Sequence, residues 1–328
     1  LLDGLRSHLA RYFSWSDENI VPHHMAHLES AFRSSGFRKS LVLSCDGDGG
    51  TYSIRVGLGD LDQETELKIV ENCNSTFSYG ALFNVLTSFV GYRKEHPLVH
   101  AGKLMGLSGY GSPVYRDTLK SLFPIPKGGL FPTGNPRNIH WPSIFQYPPF
   151  KKIGNDFTME QADISASLQL FLETEMLQLL TTLQVKYPGY DNLCLAGGVA
   201  LNSLMNGKIL NANKFKKIFV YPQASDCGLA VGSALHGLKK KKKALTFKWQ
   251  HAFWGFQESD DLRALEGLFS TYDFPLVVRK LARPVKDVAD RLLSGRVIAL
   301  FQKKAEVGPR SLGNRSILCL PSSTMRDK

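Results

Sequence analysis

His23 and His27 stand four residues apart in the stretch His23-His24-Met25-Ala26-His27. On an α-helix that spacing sets both imidazoles on one face, a turn apart, close enough to hold one metal ion. The loop Asp46-Gly47-Asp48-Gly49-Gly50 follows an apolar run, so Asp46 stands at a strand end and offers a carboxylate as third ligand. Asp226, in Ser225-Asp226-Cys227-Gly228, stands at a second strand-to-helix junction and offers a fourth. Two imidazoles with two carboxylates suit Fe(II), Mn(II) or Zn(II), and the lack of thiolate ligands argues against a structural zinc. The same residues have ordinary uses as well. Histidine pairs occur on plain helices, Asp46 to Gly50 can be a hairpin turn, and Asp226 can cap a helix.

Three further stretches carry chemistry. His100 to Gly111 is glycine-rich and holds Lys103, which can face an anion or simply lie on the surface. Gly197-Gly198 and Asn202 lie where a buried strand gives way to a helix, a place where phosphate or ribose can approach backbone N–H groups, and where strand–helix packing also asks for small residues. Arg310 and Arg315 sit five apart in a Gly/Pro-rich loop between strands, suited to phosphate or carboxylate, or to solvent.

The elements that must position these residues are readable in order. Pro22 suits a first helical turn, and Gly36 a C-terminal cap. Ser40 to Cys45 reads as a buried strand and Thr51 to Val56 as its hairpin partner, with Gly57 to Asp60 as a turn. Leu67 to Val70 reads as another strand, and Ala81 to Val90 as a helix ended by Gly91. Residues 113 to 155 read as an irregular excursion without assignable chemistry. Met159 to Tyr187 is a long amphipathic helix with Ile164, Leu168, Leu170, Phe171, Met176, Leu179 and Leu180 toward the core, stopped by Pro188-Gly189. Asn192 to Ala196 and Lys217 to Val220 are strands, and Leu229 to Leu238 a helix. A linker from Lys239 to Phe256 precedes helices at Gln257 to Leu268 and Val285 to Ser294 and a strand at Val297 to Phe301.

Composition bounds the class. The 328 residues are 43% hydrophobic, enough for a proper core in one large domain or two. There is no apolar run of about eighteen residues, which disfavours a membrane helix. The five cysteines are odd in number and show no C-x-x-C spacing, which disfavours a disulfide framework and a zinc ribbon and points to a reducing, cytoplasmic compartment. Net charge is +11, with Lys239 to Lys243 consecutive, but the basic residues are otherwise scattered and lack aromatic interleaving, so a solvated run is favoured over a nucleic-acid surface. The chain starts at Leu1, and Leu1 to Phe13 reads as a helix in mid-course, so it is expected to begin inside a domain.

Six stretches in order, HHMAH, SLVLSCDGDGG, HAGKLMGLSGYG, LCLAGGVALNSLMNGKIL, YPQASDCGLAVGSAL and FQKKAEVGPRSLGNRSIL, resemble the O-carbamoyltransferases of the nodulation-factor, cephamycin and aminoglycoside type. The resemblance implies an α/β fold of actin/Hsp70/sugar-kinase (ASKHA) type over residues 1–245, truncated at its N-terminus and related to the domain that transfers threonylcarbamoyl to tRNA. It implies a linker region over 246–282 and the start of a YrdC-like adenylation domain over 283–328. In such enzymes carbamoyl phosphate and ATP give carbamoyl-adenylate and pyrophosphate, and the carbamoyl group then passes to a hydroxyl of a small-molecule acceptor with release of AMP.

By the same resemblance the metal, usually Fe(II), is held at His23, His27, Asp46 and Asp226. The adenylate lies by Gly197, Gly198 and Asn202 with Lys103, and Lys304, Arg310 and Arg315 bind phosphate in the adenylation domain. A homodimer is compatible with it. The chain departs from the family at Gly50, where an acidic residue is usual, at Lys304, where arginine is usual, and at Ser225, where glycine is usual. No catalytic base is assigned, and His24 is given a structural role. Three alternatives stay open: threonylcarbamoyl transfer to tRNA, carbamoyl transfer in hydrogenase maturation, and a non-catalytic metal- or nucleotide-binding fragment. The missing C-x-x-C modules speak against the second and the GPRSLGNRS segment against the first.

Overall fold

A five-stranded sheet carries the site. It is described by a computed structural model covering residues 20–92, 97–146, 157–241, 246–256, 267 and 281–321. The expected helices at Leu1 to Phe13 and Gln257 to Leu268, and part of the lysine run, lie outside the described residues, Gly267 aside. The chain divides into two units, Leu1–Lys248 and Trp249–Lys328.

The first unit opens with helix α1 (His23–Ser34), then strands β1 (Lys39–Gly49), β2 (Tyr52–Asp60) and β3 (Leu67–Asn74). Helices α2 (Tyr79–Val90), α3 (Pro97–Leu107), α4 (Arg116–Leu122), α5 (Trp141–Phe145) and α6 (Met159–Lys186) follow. Strand β4 (Asn192–Ala196), helix α7 (Ser203–Asn211), strand β5 (Lys217–Val220) and helix α8 (Leu229–Lys240) complete it. The sheet order is β3-β2-β1-β4-β5. β1 pairs antiparallel with β2 and parallel with β4, and β5 continues the parallel half. The carboxyl ends of β1, β4 and β5 therefore open on one edge, where α/β sheets place their ligands.

Side chains alternate across β1. Leu41, Leu43 and Cys45 join the main core with Leu82 and Leu86 of α2 and Phe171 and Met176 of α6. Ser44 points the other way, to α1, where it meets His24. The long helix α6 starts at a reciprocal capping box between Thr158 and Gln161 and buries the expected residues, Leu170 only partly. Ser78 caps α2 by accepting the Ala81 N–H, and Gly91 ends it at φ +119°.

One expectation is corrected. Gly57 to Asp60 is not a turn but the second half of β2, paired with both neighbours. The reason is steric. A Cβ on Gly59 would stand 2.5 Å from the Phe32 ring, so the glycine lets α1 lie directly on the sheet. No described helix is long and apolar enough to cross a membrane.

In the second unit helix α9 (Pro284–Leu293) precedes an antiparallel pair, β6 (Ile298–Phe301) and β7 (Arg315–Leu318). Residues of the expected linker belong to this unit. Gly255 N–H donates to Ala305 C=O at 2.9 Å and Val307 N–H to Ala252 C=O at 2.8 Å.

Candidate metal centre

Helix α1 begins directly after Pro22, so His23 is its first residue and His27 lies one turn on. The ladder of β1 with β2 is regular to Cys45 and resumes only at Gly49. Asp46 thus sits in a bulge within β1 rather than at a strand end, and the irregularity turns its carboxylate toward the histidines. Oδ2 lies 2.8 Å from Nε2 of His27 and 3.1 Å from Nε2 of His23, and those two nitrogens are 3.2 Å apart. Asp226 Oδ1 stands 3.6 Å from each nitrogen. It lies in the turn Asp226–Gly228 ahead of α8 and makes no side-chain cap, so the N-cap use is not the one found.

The surroundings hold the bulge. Asp46 Oδ1 accepts the Gly47 N–H at 2.6 Å, and the Ser78 hydroxyl lies 2.9 and 2.7 Å from the carbonyls of Asp46 and Gly47. Gly197 adopts φ +86°, and a Cβ there would meet the Cys45 carbonyl at 2.2 Å. A Cβ on Gly198 would stand 2.9 Å from Asp46 Oδ1. The glycine pair is thus used in packing β4's exit against the ligand-bearing bulge.

Charge follows burial and pairing. Burial works against a proton on His27, but the carboxylates of Asp226 and Asp46 outweigh it and raise its pKa. Burial likewise works to raise Asp46, and the hydrogen bonds from His23 and His27 reverse this and hold it well below the usual carboxylate range. His24 is lowered to about 4, chiefly by burial, against the pull of the Tyr52 carbonyl. Its Nε2–H donates to that carbonyl at 2.7 Å, and its Nδ1 accepts from Ser44 Oγ at 2.7 Å. Both nitrogens are committed, so His24 is a structural residue and not a free base.

The donor set fits a divalent cation. One ligand atom from each of His23, His27, Asp46 and Asp226 lies within 4.8 Å of the other three. Bonds of about 2.0–2.2 Å to nitrogen and oxygen keep neighbouring donors roughly 3 Å apart. The spacings of 2.8 to 3.6 Å are of that size. His27 Nδ1 is buried and without a hydrogen-bond partner, unlike most ligating histidines.

The other expected site residues fall in different places. Asn202 is buried, caps α7 by accepting the Met205 N–H at 2.9 Å, and exchanges amide hydrogen bonds with Gln169 at 2.8 and 3.0 Å. Lys103 is exposed on α3, two residues from Met105, whose sulfur lies 3.8 Å from Ser203 Oγ. In the second unit Lys304 is exposed and Arg310 half-buried. Arg315 is a loop-builder, donating to the carbonyls of Gln302 and Lys303 and lying 3.6 Å from the Phe301 ring centroid. Glu306 draws the loop together by accepting three N–H groups, from Leu312, Asn314 and Arg315. These outweigh its desolvation and lower its pKa to about 2. Sequence reasoning missed Arg137, which reaches from the 113–146 excursion to Asp48 at 3.1 Å. No spacing signal links residues so far apart.

The Carbamoyltransferase N-terminus family matches residues 9–235, and the Carbamoyltransferase C-terminus family residues 289–328. Nodulation protein NolNO of Sinorhizobium fredii is 33% identical over 94% of this chain and 44% of its own length. Nodulation protein NolO of Bradyrhizobium diazoefficiens is 32% identical over 91% and 53%. The 3'-hydroxymethylcephem-O-carbamoyltransferase of Amycolatopsis lactamdurans is 25% identical over 88% and 51%. The chain thus spans about half the length of the relatives it matches. Among solved structures, xylulose kinase from Rhodospirillum rubrum matches 76% of this chain and 49% of its own at 13% identity, with a TM-score of 0.35.

Proposed function

This chain belongs to the carbamoyltransferase family, and from that premise we propose that it takes part in ATP-dependent O-carbamoyl transfer to a small-molecule hydroxyl. The observation that carries the proposal is the convergence of His23, His27, Asp46 and Asp226 at the carboxyl edge of the sheet. The sheet order β3-β2-β1-β4-β5, with its mixed strand directions, supports the actin-like reading of the first unit. A bound divalent cation, Fe(II) foremost, would stabilise negative charge on a phosphate or carbonyl oxygen.

The chain's own residues do the rest. The four side chains would hold the cation beside the turn at Gly197 and Gly198, which packs against the Asp46 bulge and would turn backbone N–H groups toward an adenylate. Asn202 holds that turn in place through Gln169 and the start of α7. In the second unit Glu306 and Arg315 shape the loop, and Lys304 and Arg310 on the same loop would supply positive charge for phosphate in carbamoyl-adenylate formation.

The test supplies carbamoyl-adenylate directly to the Fe(II)-loaded protein with a panel of hydroxyl acceptors, and reads AMP and O-carbamoyl product. His27→Ala and Asp46→Ala should lose transfer while keeping their fold by circular dichroism. Transfer at the wild-type rate in both variants would sink the metal assignment. AMP release that is indifferent to every acceptor would sink the transfer reaction.

A further inference from the structure

Helices α1 and α8 run side by side in the same direction, and three contacts succeed one another along them. At one end Asp226, three residues ahead of α8, faces His23 and His27. Farther along, Gly232 lies against Ala26, where a Cβ would stand 1.9 Å from the Ala26 carbonyl oxygen. One turn on, His236 Nδ1–H donates to Glu29 Oε1 at 3.2 Å. Gly232 and His236 are four apart and share the face of α8 turned to α1.

The last contact is set in the protein interior. Glu29 is 1% exposed and Arg33 fully buried. Arg33 donates to Glu29 through Nε and to Glu66 through Nη2 at 2.7 Å. A buried carboxylate needs partners, and truncating one leaves a costly uncompensated charge. Arg33 lies on the same helix as Glu29 and cannot tie that helix to another, so the link from Glu29 to α8 runs through His236. Asp226, by contrast, has a side chain 70% exposed, so its reach depends on where the head of α8 stands.

We propose that the Glu29–His236 bridge, braced by Arg33, is the positioning device for the fourth metal ligand. It fixes the spacing of α8 from α1, and with it the distance of Asp226 from the two histidines. The inference rests on the metal reading of the cluster. His236 touches no donor atom and acts through Asp226.

The experiment is a Co(II) titration of the chain, whose visible absorption reports ligand number, in a double-mutant cycle of His236→Ala and Asp226→Ala. His236→Ala should weaken uptake about tenfold, as groups supporting metal ligands do. His236→Asn, whose amide nitrogen replaces Nδ1, should restore most of it. In the Asp226→Ala background the same His236→Ala change should cost less than about twofold. Equal losses in both backgrounds, or no loss in His236→Ala, overturn the proposal while leaving the metal site standing. If His236→Ala does not fold, His236→Asn and His236→Gln decide. The first should keep affinity and the second, whose nitrogen reaches farther, should lose it, and equal affinities overturn the proposal. No uptake by the wild-type chain overturns the metal reading and this inference with it.

Discussion

Asp46 Oδ2 lies 2.8 Å from His27 Nε2, whereas Asp226 Oδ1 stands 3.6 Å from the same nitrogen. The first carboxylate is largely buried and hydrogen-bonded to both histidines, and the second is exposed. The two aspartates should therefore differ in weight. Asp46→Ala should abolish stoichiometric binding of Fe(II) or Mn(II). Asp226→Ala should retain one equivalent at an affinity lower by roughly 10- to 100-fold. Competition titration against a chelator checks the order, and equal losses would contradict it.

Metal uptake should displace a proton. The pKa of His27 is raised because the two carboxylates outweigh burial, so the metal-free ring keeps its proton to higher pH than a free imidazole. A ligating nitrogen must be unprotonated. Affinity should climb with pH through neutrality and level off above the His27 pKa. Calorimetry in buffers of different ionisation enthalpy counts the released proton, and a count of zero near pH 6.5 would contradict the arrangement.

His24 gives the metal-free protein an acid limb. Its folded pKa, about 4, lies below the ordinary 6.5, so the unfolded chain binds more protons between those values. The stability tied to neutral His24 is complete above pH 6.5 and is lost as pH falls toward 4. Its size is on the order of 3 kcal/mol, from 1.36 kcal/mol per pKa unit. Thermal melts across this range should show the loss. His27, with its raised pKa, acts in the opposite sense and stabilises below pH 6.5, so His24→Gln should flatten or invert the limb.

Two glycines should respond oppositely to alanine. Gly197 combines φ +86° with backbone of Cys45 at 2.2 Å from any Cβ, so Gly197→Ala should cost at least about 3 kcal/mol. Gly207 lies inside α7 with open space around it, so Gly207→Ala should gain about 0.5–1 kcal/mol. Urea unfolding of both variants measures the contrast.

Strands β4 and β5 have the bounds their apolar runs announce, because each is a short apolar segment flanked by polar or turn residues. The histidine pair was legible because helical spacing is local. What escaped is what depends on distant partners. The glycines of β2 look like a turn until Phe32 is laid upon them. The bulge at Asp46 is made by pairing with β2. Arg315 looks like a free cation until the carbonyls of Gln302 and Lys303 are placed under it. The Glu29–His236 bridge joins residues 207 apart, and nothing in either neighbourhood hints at the other.

The cluster draws its donors from the beginning and the far side of the first unit, with His23 and Asp226 separated by β1, β4 and β5 and most of the helices. Contacts of such sequence separation form late, because the intervening chain must be closed before they reward it. On the ribosome, the histidine helix emerges long before its fourth partner is made. A cation arriving early finds at most three of the four donors, so full loading has to await β5 and α8. The tightness with which metal is held, rather than its amount, would then report molecules whose first unit has closed, and a preparation that loses its metal readily would be one whose synthesis or folding stopped short.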